Sequence, residues 1–249
     1  KRVVYHYHEN AFVKGTFYKV LATIMQKLAH KIICVSEYQA SFLQQKKCVI
    51  TVPNALPQNF VNRLTPNFQA AFKRKHILML GSLKLYKSPL EFIELTKRLP
   101  QFIFVLVIND TKENINIFIK EYKINISKNL TIYPQQNDVV PFYNQTSLVL
   151  NLSNKKQFVE TFGLTALEAM SAGLPVIVPT EGGIAEMVVD GENGYKIDVQ
   201  NLNQIAECIK TILSDETLYM ELAQNALAYS KRFSEAKMVN SIEMILNRK

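Results

Sequence analysis

The chain has 249 residues, 48% of them hydrophobic, and a net charge of +8. That is enough apolar material for one large core or two modest ones, and it argues against disorder or a low-complexity tail. The longest uninterrupted apolar run, "FIFVLVI" from Phe102 to Ile108, falls far short of a membrane span and no signal peptide opens the chain, so a cytoplasmic protein is expected. Cys34, Cys48 and Cys208 are odd in number and lack ligand spacing, which reads as reduced packing residues. With no His/Cys cluster and no Asp-x-Asp pair, neither a metal nor another cofactor is expected.

The first element, "RVVYHYH", reads as a strand near 3–8 that begins without a cap, loop or initiator methionine, so an upstream part is expected to be missing. A helix near 16–30, a strand near 32–36, a helix near 37–45 and a strand near 48–53 follow. Residues 1–60 hold eight Lys/Arg against Glu9 and Glu37, a local charge of +6. Lys14, Lys19, Lys27, Lys31, Lys46 and Lys47 would suit an anionic membrane surface, while the apolar stripe of helix 16–30 is expected to be core. A nucleic-acid module is disfavoured, because no aromatic platforms are interleaved with these basic residues.

Pro53, Pro57 and Pro66 then interrupt any long element, marking a link. Beyond it, "HILMLGS", "FIFVLVIN", "LTIYPQ", "LVLNLS", "PVIVP" and "YKI" alternate with helical stretches, the pattern of a parallel sheet covered on both faces. Three helices, near 201–213, 216–230 and 235–247, close the chain. The predicted fold class is α/β. Its organisation is a first sheet unit at 1–56, a link at 57–75, a second sheet unit at 76–231 and a returning helix at 232–249.

The chemistry concentrates in "VETFGLTALEAMSAGLPVIVPTEGG", residues 159–183. Gly163 precedes a helix from Leu164 to Ala172 whose first N–H groups lack intrahelical partners, an arrangement suited to a diphosphate. Glu160 would lie in the facing loop and Glu168 one turn into the helix, so the two carboxylates would reach different parts of one ligand. Carboxylates that accept hydroxyl hydrogen bonds are good readers of sugars. The blander alternative is that both are exposed charges.

The segment from Glu160 through the Phe-Gly-Leu turn, "LEAM", "GLPVI", Gly182-Gly183, Glu186, Asp190-Gly191 and Asn193-Gly194 resembles the Glu-x7-Glu region of retaining GT-B glycosyltransferases, family 4. "HYHEN", "CVSEYQASFL" and "VPNALPQNF" are similar to that family's strand end, helix start and interdomain turn. The resemblance implies two Rossmann-like domains, the first present only in part. It also implies transfer of a hexosyl unit from a nucleoside diphosphate sugar to an acceptor hydroxyl, in bacterial capsule or lipopolysaccharide work, with a glycan or lipid-linked acceptor.

On this resemblance Glu160 holds donor-sugar hydroxyls, Glu168 holds the ribose, and Phe162, Gly163, Leu164 and Thr165 form the backbone diphosphate site. "GSLKLYKS" puts Lys87 on the diphosphate. Ser82 stands where the family usually has arginine, with Lys84 as a compensating cation. His8 faces the sugar across the cleft, and the main chain near Tyr133 and Pro134 contacts the base. Asn109-Asp110 replaces the family's Gly-x-Gly. The alternative is a non-catalytic nucleotide-sugar-binding fragment or half of a split enzyme. The chain on its own is expected to bind a nucleoside diphosphate without transferring sugar at an enzymatic rate.

Overall fold

A computed structural model describes residues 3–8, 16–44 and 48–247, the side chains of residues 16–19 excepted. Lys14, Lys46 and Lys47 and the side chain of Lys19, named above for a membrane surface, lie outside the described residues. The apolar runs near the start of the chain become β1 (Val4–Tyr7), β2 (Lys31–Cys34) and β3 (Val49–Thr51), a parallel sheet in chain order. Tyr5 sits opposite Ile32, and Ile33 opposite Ile50. Parallel neighbours need crossovers, which here contain α1 (Thr16–Leu28) and α2 (Glu37–Ser41).

The apolar stripe of α1 departs from expectation. Met25 and Ala29 pack on the small core around Ile32 and Cys34, while Val20, Leu21, Ile24 and Leu28 are exposed, Leu28 by 65%. Among the described residues of this stripe, Met25 and Ala29 reach the core of the first sheet and the other four do not. Cys34 is buried in that core, and burial pushes its thiol up to about 12, as an unreactive packing residue requires.

The link is more ordered than its prolines suggest. α3 (Gln58–Val61) starts directly after Pro57. α4 (Phe68–Arg74) is capped by Asn67, whose side chain accepts from Ala70 N at 3.0 Å. Leu64, Ala71 and Phe72 join the larger core, so this stretch belongs with the second sheet in its packing.

That sheet contains β4 (His76–Gly81), β5 (Ile103–Ile108), β6 (Leu130–Tyr133), β7 (Leu148–Leu150), β8 (Val176–Val178) and β9 (Gly194–Lys196). All pairs are parallel and the order is β6-β5-β4-β7-β8-β9. The central strands β4, β5, β7 and β8 are largely buried on both faces, so they read as near-continuous apolar runs rather than alternating ones, while the edge strands β6 and β9 are partly exposed. Crossovers carry α5 (Pro89–Arg98), α6 (Lys112–Glu121), α7 (Val140–Asn144), α8 (Leu164–Ser171) and α9 (Gly183–Glu186).

α10 (Leu202–Ser214) shows how the sequence makes its helices. Ile205, Ala206, Ile209, Ile212 and Leu213 recur at three and four spacing and are all buried, and Asn201 caps the start by accepting from Gln204 N at 3.2 Å. Asp215 ends that helix and caps α11 (Glu216–Ser230), accepting from Leu218 N at 3.0 Å.

The chain returns to the first sheet through α12 (Glu235–Asn247), where Ile245 packs with Ile33 and Val52. The outgoing and returning segments touch. Leu56 bridges Ser234 in parallel, and Gln58 N donates to Glu235 Oε2 at 2.7 Å. Among the described residues no helix is long and apolar enough to cross a membrane.

Candidate functional site

Strand order in the larger sheet runs outward from β4 through β5 and β6 on one side, and from β7 through β8 and β9 on the other. Crossovers leaving β4 and β7 therefore diverge, opening a crevice at the carboxyl ends of those two strands, where open α/β sheets bind ligands. A cavity of about 610 Å³ lies there. Ser82 and Lys87 come from the β4 side, Asn151 and Ser153 from the end of β7, and Glu160 with the turn Phe162–Thr165 from the segment leading into α8.

Two local devices shape the floor. Gly163 sits at φ +91° as the N-cap of α8, with no side-chain cap, so the first N–H groups of the helix have no partner within it. A Cβ at Gly163 would lie 2.4 Å from Ile184 Cγ1, so a larger residue is excluded by packing as well as by φ. The glycine pair answers a second need. Gly183 N donates to the Glu160 carbonyl at 2.8 Å, and a Cβ on Gly183 would stand 1.9 Å from the Thr161 carbonyl oxygen. The pair lets two loops touch backbone to backbone and fixes the one that carries Glu160.

The Glu160 carboxylate meets Lys87 in an ion pair whose side chains are only 14% and 22% exposed, respectively. Its Oε1 also accepts from Ser153 Oγ at 2.8 Å and Asn151 Nδ2 at 3.4 Å. Lys87 lies 4.2 Å from the centre of the Phe158 ring, which stacks on Tyr86 at 4.7 Å and 14°. Asn154 N donates to Tyr86 O at 2.8 Å, so the turn carrying Lys87 and the loop carrying Glu160 are clamped together. A half-buried cation beside a helix N-terminus suits a polyanion, and a carboxylate beside it suits hydroxyl groups.

The remaining predicted positions are not on this wall. Glu168 projects from α8 to Tyr143, whose hydroxyl donates to Glu168 Oε2. Burial raises that carboxyl above its ordinary range against the opposing effect of the Tyr143 hydrogen bond. Lys84 is exposed, 5.7 Å from the Tyr86 ring centre, because it precedes the 3-10 turn Leu85–Lys87 that aims Lys87 inward. Tyr133 packs edge-on against Phe142 at 5.0 Å, and the Pro134 carbonyl accepts from Gln136 Nε2 at 2.9 Å. Gln136 and Asn109 reach the cavity in their place. His8 is exposed past the end of β1 on the first sheet and is not among the residues that line this cavity.

Sequence reasoning missed Asn151, Ser153 and Tyr143. The position of Asn151 and Ser153 just beyond a strand at the switch point was the available signal; Tyr143 offered none. A third carboxylate, Glu186, joins the two sheet units. Its oxygens accept from the backbone N–H groups of Glu37, at 3.1 Å, and Tyr38, at the start of α2. Among the described residues no three His, Cys, Asp or Glu side chains gather in a way that would hold a metal.

Residues 63–229 match the family model described as "Glycosyl transferases group 1". An uncharacterised glycosyltransferase of Methanocaldococcus jannaschii is 29% identical over 239 residues, 94% of this chain and 63% of that protein. The N-acetyl-alpha-D-glucosaminyl L-malate synthase of Bacillus anthracis is 30% identical over 142 residues, 57% of this chain and 36% of that protein. The chain therefore spans less than two thirds of the length of these relatives. Among solved structures, Anabaena HepE in complex with UDP-glucose aligns at a TM-score of 0.83 with 20% identity, covering 99% of this chain and 72% of that one. The shared fold is the GT-B architecture of glycosyltransferases.

Proposed function

The chain belongs to the glycosyl transferases group 1 family, and from that premise we propose that it carries the donor side of a retaining hexosyltransferase of family 4 that uses a nucleoside diphosphate sugar. The observation that carries this reading is the Lys87–Glu160 pair set beside the uncapped start of α8 in one cavity. In this reading the diphosphate lies on the N–H groups of α8 at Leu164 and Thr165 and draws Lys87 toward it. Glu160, released from the cation, accepts from sugar hydroxyls.

No side chain becomes covalently attached. As the bond from the anomeric carbon to the diphosphate breaks, the acceptor oxygen bonds to that carbon on the same face and its proton passes to the leaving phosphate oxygen. Lys87 and the helix start stabilise the departing diphosphate, and one such donor is worth about 2.7–4 kcal/mol. No metal takes part. Glu168, held by Tyr143, is assigned to the ribose, with Asn109 and Gln136 toward the base. The acceptor is a glycan or lipid-linked glycan of a bacterial surface polysaccharide. It is reached at the inner face of the cytoplasmic membrane, where the exposed stripe of α1 beside Lys27 would meet anionic lipid.

Calorimetry of this chain with UDP, GDP and ADP and their glucose conjugates tests the donor reading. Binding of one nucleoside diphosphate, weakened about tenfold in Lys87→Met, is expected. Binding of none of them, in a protein that melts cooperatively, overturns it. Sedimentation with anionic vesicles that is abolished by charge reversal of Lys27 and Lys31 tests the membrane part separately.

A further inference from the structure

Among the described residues, the polar contacts of the Glu160 carboxylate fall on one oxygen. Lys87 Nζ, Ser153 Oγ and Asn151 Nδ2 converge on Oε1. Ser153 is 2% exposed, and its hydroxyl donates to Glu160 Oε1 at 2.8 Å. Asn151 is committed as well: its Nδ2 also reaches Thr165 Oγ1 at 3.3 Å, and its Oδ1 accepts from Ser153 N at 3.1 Å. The network runs from the carboxylate to the first turn of α8 without leaving the end of β7.

A carboxylate held by one oxygen keeps the lone pairs of the other for a ligand. The three anchors differ in kind. Lys87 is the group a diphosphate would attract, so its hold on Glu160 weakens when donor binds. Ser153 and Asn151 are neutral, short and fixed to the strand end, so their hold does not.

We propose that Ser153, braced by Asn151, is the positioning residue that keeps Glu160 aimed at the sugar of a nucleoside diphosphate sugar after Lys87 has turned to the diphosphate. The assignment rests on the donor reading above. It makes sugar recognition, as distinct from nucleotide recognition, depend on a buried hydroxyl whose bond is to the carboxylate. Thr165 belongs to the same network, so the helix start and the sugar-reading carboxylate are set in register by one asparagine.

The test compares affinities for UDP and UDP-glucose, or for the pair built on whichever base the chain binds, in four variants. Ser153→Ala should lower affinity for the sugar nucleotide by about tenfold, as loss of a hydrogen bond to a charged group predicts, while affinity for the nucleoside diphosphate stays within about twofold. Ser153→Thr, which keeps the hydroxyl, should restore the difference. Because Ser153 acts through Glu160, adding Ser153→Ala to Glu160→Gln should change neither affinity further. Equal loss of both ligands in Ser153→Ala, no loss of either, or an additive effect in the double variant overturns the inference while leaving the donor reading intact. Failure of the wild-type chain to bind any nucleoside diphosphate overturns both. Melting curves of each variant separate a local effect from misfolding.

Discussion

Gly183→Ala puts the contact between the glycine pair and the Glu160 loop under direct load. The added Cβ would fall 1.9 Å from the Thr161 carbonyl oxygen, 2.6 Å from its carbon and 2.7 Å from Ser36 Cβ. The nearest two atoms are backbone, so no rotamer change relieves the clash and the loop has to move by more than an ångström. Overpacking of this kind costs about 1–3 kcal/mol. Displacing the Gly183 N to Glu160 O hydrogen bond adds about 1 kcal/mol. The expected loss of about 2–4 kcal/mol corresponds to a fall in Tm of roughly 5–15 °C for a chain of this length. Gly81→Ala is the control: its Cβ would meet nothing nearer than Lys87 Cβ at 3.9 Å, and its stability should change by no more than about 1 kcal/mol. Paired urea and thermal unfolding measure both variants. A Gly183→Ala protein as stable as Gly81→Ala would refute the claim that the two loops are held in backbone contact.

Removal of the Glu186 side chain by Glu186→Ala leaves the first two amides of α2 without their acceptor, while Ser36 still caps Gln39 N. Hydrogen exchange at the Glu37 and Tyr38 amides should accelerate by about fivefold or more while the strands of the second sheet keep their protection. For Glu168, burial sets the folded carboxyl above its ordinary value of 4.5. Its contribution to stability is then full below that value and lost as pH rises through the folded one. Glu168→Gln should therefore gain Tm relative to the wild type as pH is raised from 4.5 to about 7, and a flat or falling difference would count against the burial argument. Lys87→Met should weaken nucleoside diphosphate binding by about tenfold at low salt and flatten its salt dependence, measured by calorimetry at two ionic strengths.

The four central strands of the larger sheet were legible because burial writes each as a short apolar run, such as "FIFVLVIN", that no amphipathic helix imitates. The motif from Glu160 to Gly183 announced both the helix start and the need for carboxylates. What it could not announce was their partners. Lys87 is 73 residues from Glu160, and Tyr143 is 25 from Glu168, and no local spacing encodes either meeting. Both depend on which strands become neighbours. α4 was hidden for the opposite reason: Pro57 and Pro66 suggested an irregular link, yet the nine residues between Pro66 and His76, with Asn67 as cap, suffice for two turns. The stripe of α1 was read as core from periodicity alone, but periodicity names a face and not what covers it.

The side-by-side passage of Leu56 and Ser234 has an evolutionary meaning. Everything between those two residues leaves and re-enters the first sheet unit at a single doorway, so the intervening stretch behaves as a cassette whose two ends meet. A cassette of this kind is gained, lost or exchanged without rethreading its host, because only one seam has to be matched. The family match, which begins at residue 63 and stops at residue 229, falls entirely within that seam. Glu186, Gly183 and α12 are among the points where a change on one side of the seam is felt by the other.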